Sequence, residues 1–85
     1  MGRKHILDAR RLLCPMPVIR VQEKISRLSA GDVLEVWCTD TGTRSDVPAW
    51  CRMNGHRVLD IVERDGELLL TLKVGEVAAP GTPYG

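Results

Sequence analysis

Near its C-terminal end the chain places apolar side chains at every second residue. Leu68, Leu70, Leu72 and Val74 alternate with Glu67, Leu69, Thr71 and Lys73. A period of two sends successive side chains to opposite faces of a pleated strand, so this segment is read as a strand with one buried file. Asp65-Gly66 immediately precedes it and supplies the residue types that a tight hairpin turn demands, which makes Arg57 to Glu63 its antiparallel partner. The same alternation runs from Asp32 to Thr39, with Leu34, Val36 and Cys38 on one face and Val33, Glu35 and Trp37 on the other. His5-Ile6-Leu7-Asp8 is a further short strand, ending in a turn at Ala9-Arg10-Arg11.

Between these strands the period lengthens. Val18, Val21, Ile25 and Leu28 recur at helical spacing, predicting a helix from Pro15 to about Leu28 with Gly31 suited to its stop. A second helix is predicted from about Thr43 to Met53, closed by Asn54-Gly55. Asp40, Ser45 and Asp46 are each candidates to cap its start. Pro48 fits a first turn or marks a bend in a longer helix. The order βαβαββ implies an α+β, two-layer α/β sandwich, with two helices packed on one face of a mixed four-stranded sheet.

At 85 residues the chain is expected to form one small domain over residues 1–75. Residues 76–85 are Pro/Gly-rich without periodicity and read as a disordered tail. The net charge is +1 with acids and bases interspersed, and Trp37, Trp50 and Tyr84 are the only aromatic residues. Neither an electrostatic footprint nor a stacking platform for nucleic acid is present. No apolar run follows the basic N-terminal residues, so neither a signal peptide nor a membrane span is expected. Cys14, Cys38 and Cys51 form an odd set without CxxC spacing, which points away from a disulfide framework or a zinc ribbon and toward a reducing cytoplasm.

Cys14-Pro15-Met16-Pro17 carries the chemistry. Proline is accommodated at the first helical position because its missing N–H has no partner there anyway. This reading makes Cys14 the residue that caps the first helix, where the free amides and the dipole favour thiolate over thiol. Pro15 and Pro17 offer no donors, leaving the amides of Met16 and Val18 for the sulfur. Ser, Thr, Asp or Asn would serve better as a structural cap, so cysteine here argues for reactivity. Cys38, on the apolar file of a strand, and Cys51, within a helix, are expected in the core. His5 and His56 lack the spacing of metal ligands, and no metal is expected.

These residues resemble the TusA/SirA family of sulfur carriers from about Leu7 to Val74. Leu7-Asp8-Ala9-Arg10, Leu12 and Cys14-Pro15-Met16-Pro17 are similar to the family's Leu-Asp-x-x-Gly-Leu-x-Cys-Pro-x-Pro signature. Thr39-Asp40-Thr41-Gly42-Thr43 and Asp46-Val47-Pro48-Ala49-Trp50-Cys51 resemble its second block, and Gly55-His56 before a hairpin completes the pattern. Arg11 stands where the family usually has Gly, and Thr41 where it usually has Pro.

The resemblance implies a sulfur relay. Cys14 would accept sulfane sulfur from a cysteine desulfurase or rhodanese-like protein, hold it as a persulfide, and pass it to an acceptor protein. The pathways served by the family are tRNA thiolation, cofactor synthesis and sulfur oxidation. No cofactor is implied, and a monomer is expected. Arg11, Met16 and Arg20 are candidate partner contacts, and Asp40 and Asp46 candidate supporting residues. Two other functions stay open on sequence: a thiol-based redox regulator using Cys14 and Cys51, and a protein- or RNA-interaction module, since the family's fold is similar to the C-terminal domain of a translation initiation factor.

Overall fold

The alternating strands bury one side of a single sheet. The computed structural model describes residues 2–13 and 16–75; the expectations for Cys14, Pro15 and the 76–85 tail fall outside the described residues. In chain order the elements are β1 (Lys4–Ala9), α1 (Met16–Ile25), β2 (Val33–Cys38), α2 (Thr43–Met53), β3 (Arg57–Arg64) and β4 (Glu67–Lys73). The sheet order is β1-β2-β4-β3, with β1 parallel to β2 and the other neighbours antiparallel. A parallel pair needs a crossover, and α1 provides it by lying across the sheet.

The register lines up the buried side chains. Leu34, Val36 and Cys38 on β2 stand opposite Leu72, Leu70 and Leu68 on β4. These six, with Ala9, Val74, Val21 and Ile25 of α1, and Val47 and Cys51 of α2, form one buried cluster. Each helix contributes a stripe at steps of four residues: Pro17, Val21 and Ile25 from α1, and Thr43, Val47 and Cys51 from α2. The other face of the sheet, with Lys4, Ile6, Asp8, Glu35, Trp37 and Leu69, is only partly covered or exposed, which makes the domain two layers thick. Among the described residues no helix is long and apolar enough to cross a membrane.

The hairpin turn forms where expected. Asp65 and Gly66 take φ values of 53° and 79°, the left-handed pair required by a two-residue turn that matches the strand twist. The register of β3 shifts between Val58 and Asp60. Val58 and Ile61 both pack on the core although they are three residues apart. Strict alternation forbids that, and the bulge reconciles it by turning Leu59 out to solvent.

Helix α2 spans Thr43–Met53 as expected, whereas the end of α1 and the capping of α2 differ from the sequence expectation. Helix α1 ends at Ile25 rather than near Leu28, because the chain tightens: Arg27 N–H donates to the Lys24 carbonyl at 3.0 Å and Leu28 N–H to that of Ile25 at 2.9 Å. Leu28 still packs against the core. Gly31, with φ 95°, serves the following loop instead of capping the helix, and its N–H donates to the Val74 carbonyl at 2.7 Å. The loop is gathered by buried Asp32, whose carboxylate accepts from the amides of Ser29 and Arg3, each at 3.1 Å, and bonds His5 Nε2 at 3.2 Å. These bonds, that from Ser29 foremost, hold the Asp32 carboxyl below its ordinary range against the opposing effect of burial.

Helix α2 starts from Gly42 and not from a side-chain cap at Asp40, Ser45 or Asp46. Asp40 makes a local turn instead, its carboxylate accepting from Gly42 N–H at 3.0 Å and its carbonyl from the buried Thr43 hydroxyl at 2.6 Å. Asp46 sits in the first turn, where a negative charge complements the dipole. Pro48 lies well inside the helix, so the Arg44 carbonyl loses its usual donor.

His56 closes the end of α2. Its ring stacks on Trp50 with centroids 5.3 Å apart, and its Nδ1 accepts from Gly75 N–H at 2.9 Å. That acceptor role requires the neutral imidazole, and burial lowers the His56 pKa from 6.5. The stability supplied by the neutral ring is therefore complete above pH 6.5 and is lost as pH falls through the lower folded-state value. Urea denaturation is expected to show His56 contributing less stability at about pH 5 than at about pH 7.5, a difference that should be absent from the His56→Phe variant.

Candidate functional site

The site is built at the end of the sheet where β1 and β2, being parallel, both finish. The chain leaves β1 at Ala9 and turns through Arg10 and Arg11, with Leu12 N–H returning to the Ala9 carbonyl at 3.4 Å. Arg11 adopts φ 69°, a left-handed conformation that a side chain makes costly. Its amide donates to Thr39 Oγ1 at 2.8 Å, tying the loop to the residue just past β2. Leu12 packs against the core, whereas Leu13 is 75% exposed. Met16 N–H donates to the Leu13 carbonyl at 2.8 Å, which sets the separation of the two residues on either side of Cys14-Pro15. Helix α1 then begins with Met16, exposed, and Pro17, fully buried.

Cys14 and Pro15 themselves lie outside the described residues; their neighbours in the chain are described. Leu13 before α1 and Met16 and Ile19 in its first turn all expose apolar surface. Arg11 lines a pocket of about 390 Å³ with Asp8, Arg10, Thr39 and Glu67. Arg10 is held there by Asp8 through two bonds of 2.9 Å and by Glu67 at 3.5 Å. The hydrogen bonds from Arg10 push the Asp8 carboxyl down to about 2, and the pairing raises Arg10 in turn.

The remaining sequence candidates lie on α1 and at the start of α2. Arg20 is exposed and pairs with Glu23 at 3.6 Å, one helical turn away. Asp40 and Asp46 sit at the start of α2, both near Gly42. Sequence reasoning passed over Leu13, Ile19 and Thr39. A signal existed for two of them: adjacent Leu12 and Leu13 cannot both face one core in a loop, and Ile19 falls outside the four-residue stripe of α1. Thr39 had none, because its partner is 28 positions away.

Cys38 and Cys51 are fully buried. Burial pushes the Cys51 thiol up to about 12. It also raises Cys38, against a hydrogen bond with Thr43 that works the other way. Both are held as neutral thiols in the core, where attack on an electrophile is suppressed. Among the described residues no group of His, Cys, Asp and Glu is placed to hold a metal.

Two measurements follow from this geometry. Alkylation of the folded protein at neutral pH is expected to leave Cys38 and Cys51 unmodified until denaturant is added, as read by peptide mapping. Arg11→Gly relieves the left-handed backbone and is expected to raise stability by about 1 kcal/mol in urea unfolding.

Comparison with known proteins gives a consistent result. Residues 5–74 match the family described as Sulfurtransferase TusA. The chain is 42% identical to YrkF of Bacillus subtilis over 75% of its own length, although it spans only 34% of that longer protein. It is 39% identical to YrkI of the same organism, over 81% of this chain and 91% of the relative. It is 40% identical to the sulfur carrier protein TusA of Pseudomonas putida, over 80% of this chain and 85% of that one. The crystal structure of a SirA-like protein from Desulfitobacterium hafniense superposes with a TM-score of 0.74 at 26% identity, covering 85% of this chain and 99% of the other.

Proposed function

The chain belongs to the TusA sulfurtransferase family, and we propose that it is a cytoplasmic sulfur carrier in which Cys14 bears the transferred sulfur as a persulfide. The thiolate attacks the outer sulfur of a donor R–S–SH, one S–S bond forms as another breaks, R–S⁻ leaves, and the proton stays on the transferred sulfur. No net oxidation occurs, so no cofactor is required. Return transfer to an acceptor thiolate is the same exchange in reverse.

The observation that carries this reading is the thiol's position. Cys38 and Cys51 are buried in β2 and α2, whereas Cys14 falls in the sequence between exposed Leu13 and, beyond Pro15, the exposed first residue of α1. A relay needs the sulfur to reach a second protein's cysteine, and an apolar rim of Leu13, Met16 and Ile19 is suited to docking one. A persulfide is more acidic than a thiol and therefore anionic at neutral pH, a form favoured near a helix start. The burial of Cys51 counts against a redox pair with Cys14. The partners are a donor protein of the cysteine desulfurase or rhodanese-like class and an acceptor protein; Arg20 would contact them only at the margin.

Intact-mass analysis after incubation with inorganic polysulfide, or with a cysteine desulfurase and cysteine, tests the assignment. A gain of one sulfur atom is expected, absent in Cys14→Ser and retained in Cys38→Ser and Cys51→Ser. No adduct with any donor, or an adduct on another cysteine, rejects it. Leu13→Glu is expected to slow loading from the donor protein by about tenfold while leaving loading by polysulfide unchanged, because only the former needs a docked interface.

A further inference from the structure

We infer that the cleft between the last turn of α2 and the start of β3 takes a carboxylate from an acidic, partly apolar segment of a partner protein. The cleft is built from described residues and does not depend on the role of Cys14. Three observations lead to it.

The first is the cleft itself. Pro48, Arg52, His56, Arg57 and Val58 line about 230 Å³. It lies at the end of the sheet where β2 and β3 begin and β4 ends, away from the Arg10–Arg11 turn. Among the described residues no carboxylate lines it. His56 accepts from Gly75 N–H through Nδ1, so its neutral ring carries the proton on Nε2. No described residue accepts from that nitrogen. The lining residues thus bring two guanidiniums and one ring N–H, with no negative charge of their own to meet them.

The second is charge that the fold leaves uncompensated. Arg52 and Arg57 are exposed, and neither makes an ion pair with a described residue. The carboxylates at this end are turned elsewhere. Asp32 is bonded to His5 and to the amides of Ser29 and Arg3, and Glu35 pairs with Lys4 at 3.0 Å. Asp60, the first carboxylate along β3, accepts from the Ile61 amide at 2.9 Å. The dipole of α2 favours a cation in its last turn, which accounts for Arg52. It does not account for Arg57, which stands directly opposite Lys73 across the β3–β4 pair, where like charges destabilise. A like-charged pair kept beside a third cation points to a use for the charge outside the fold.

The third is the shape of the partner that fits. Pro48 and Val58 give the cleft apolar lining, and Val58 is fixed by its packing on the core. A carboxylate matches the fork of a guanidinium, and an apolar neighbour on the same segment covers Pro48 and Val58. A phosphodiester backbone carries no such group. Trp50 beside the cleft is stacked by the His56 ring at 5.3 Å, so it offers no platform for a base. These features favour an acidic protein segment over nucleic acid. A partner held here leaves the far end of the sheet, with exposed Leu13 and Met16, open to a second protein.

The experiment titrates the full chain with a short peptide of glutamate and leucine, read by amide NMR shifts. The same peptide with glutamine in place of glutamate is the neutral control, and a short RNA duplex represents the competing class. The glutamate peptide is expected to move the amide signals of Arg52, His56 and Arg57, and the glutamine peptide to leave them in place. Affinity is expected to fall about fivefold in the double variant Arg52→Gln, Arg57→Gln, whose own amide spectrum reports that it is folded. Added salt should weaken binding to the wild type. Arg64→Gln, which removes a cation from the other end of β3, is expected to leave affinity unchanged. No binding, equal binding of the two peptides, or an equal loss in Arg64→Gln overturns the inference. RNA held at these residues in place of the peptide overturns it in favour of nucleic acid. Binding that appears only in Glu76→Gln assigns the cleft to a carboxylate of the chain itself and overturns it as well.

Discussion

The pairing of Leu34, Val36 and Cys38 with Leu72, Leu70 and Leu68 is the contact from which the rest of the structure follows. Six side chains from the two central strands form one apolar surface, and that surface has to be covered. Helices α1 and α2 cover it with stripes of matching spacing, and the parallel strand β1 joins because α1 needs a place to begin. A domain this small buries little surface in total, so loss of any of these central leucines would remove a large share of its stability.

The same arrangement sets where chemistry can occur. Helix α1 carries the chain back to the start of β2, so that the parallel strands β1 and β2 finish at the same end of the sheet. The loop before α1 and the residue after β2 meet there, which is why Thr39 can hold the amide of Arg11. Rigid strands supply the frame, and the segment that carries Cys14 is anchored at Leu12 by core packing and at Pro17 by burial. Between those anchors the chain exposes Leu13 and Met16. Under the carrier role proposed for Cys14, exposed apolar neighbours on a fixed frame suit transfer between docked proteins, whereas a small-molecule site would enclose its substrate.

Environment divides the three cysteines. Cys38 and Cys51 are packed among leucines and valines, where the charged form of a thiol is penalised, so they act as small apolar residues. Cys14 stands apart from them by its place before α1. Burial thereby withdraws Cys38 and Cys51 from thiol chemistry.

Much of this was legible in the chain itself. Alternation in residues 32–39 and 67–74, the Asp65-Gly66 turn, both helices and the thiol ahead of the first are local patterns. They follow from periods of two and 3.6 residues and from turn chemistry that acts over a few positions. The sequence by itself therefore determined the element order, the two-layer architecture, the core placement of Cys38 and Cys51, and the identity of the reactive cysteine as a candidate. Tertiary structure alone decided the bulge between Val58 and Asp60, the exposure of Leu13 and Ile19, the hold of Thr39 on the Arg11 amide and the approach of Glu67 to Arg10. Each of these depends on partners brought together from distant parts of the chain, as when Thr39 receives Arg11 or Glu67 reaches Arg10, and no local pattern carries that information.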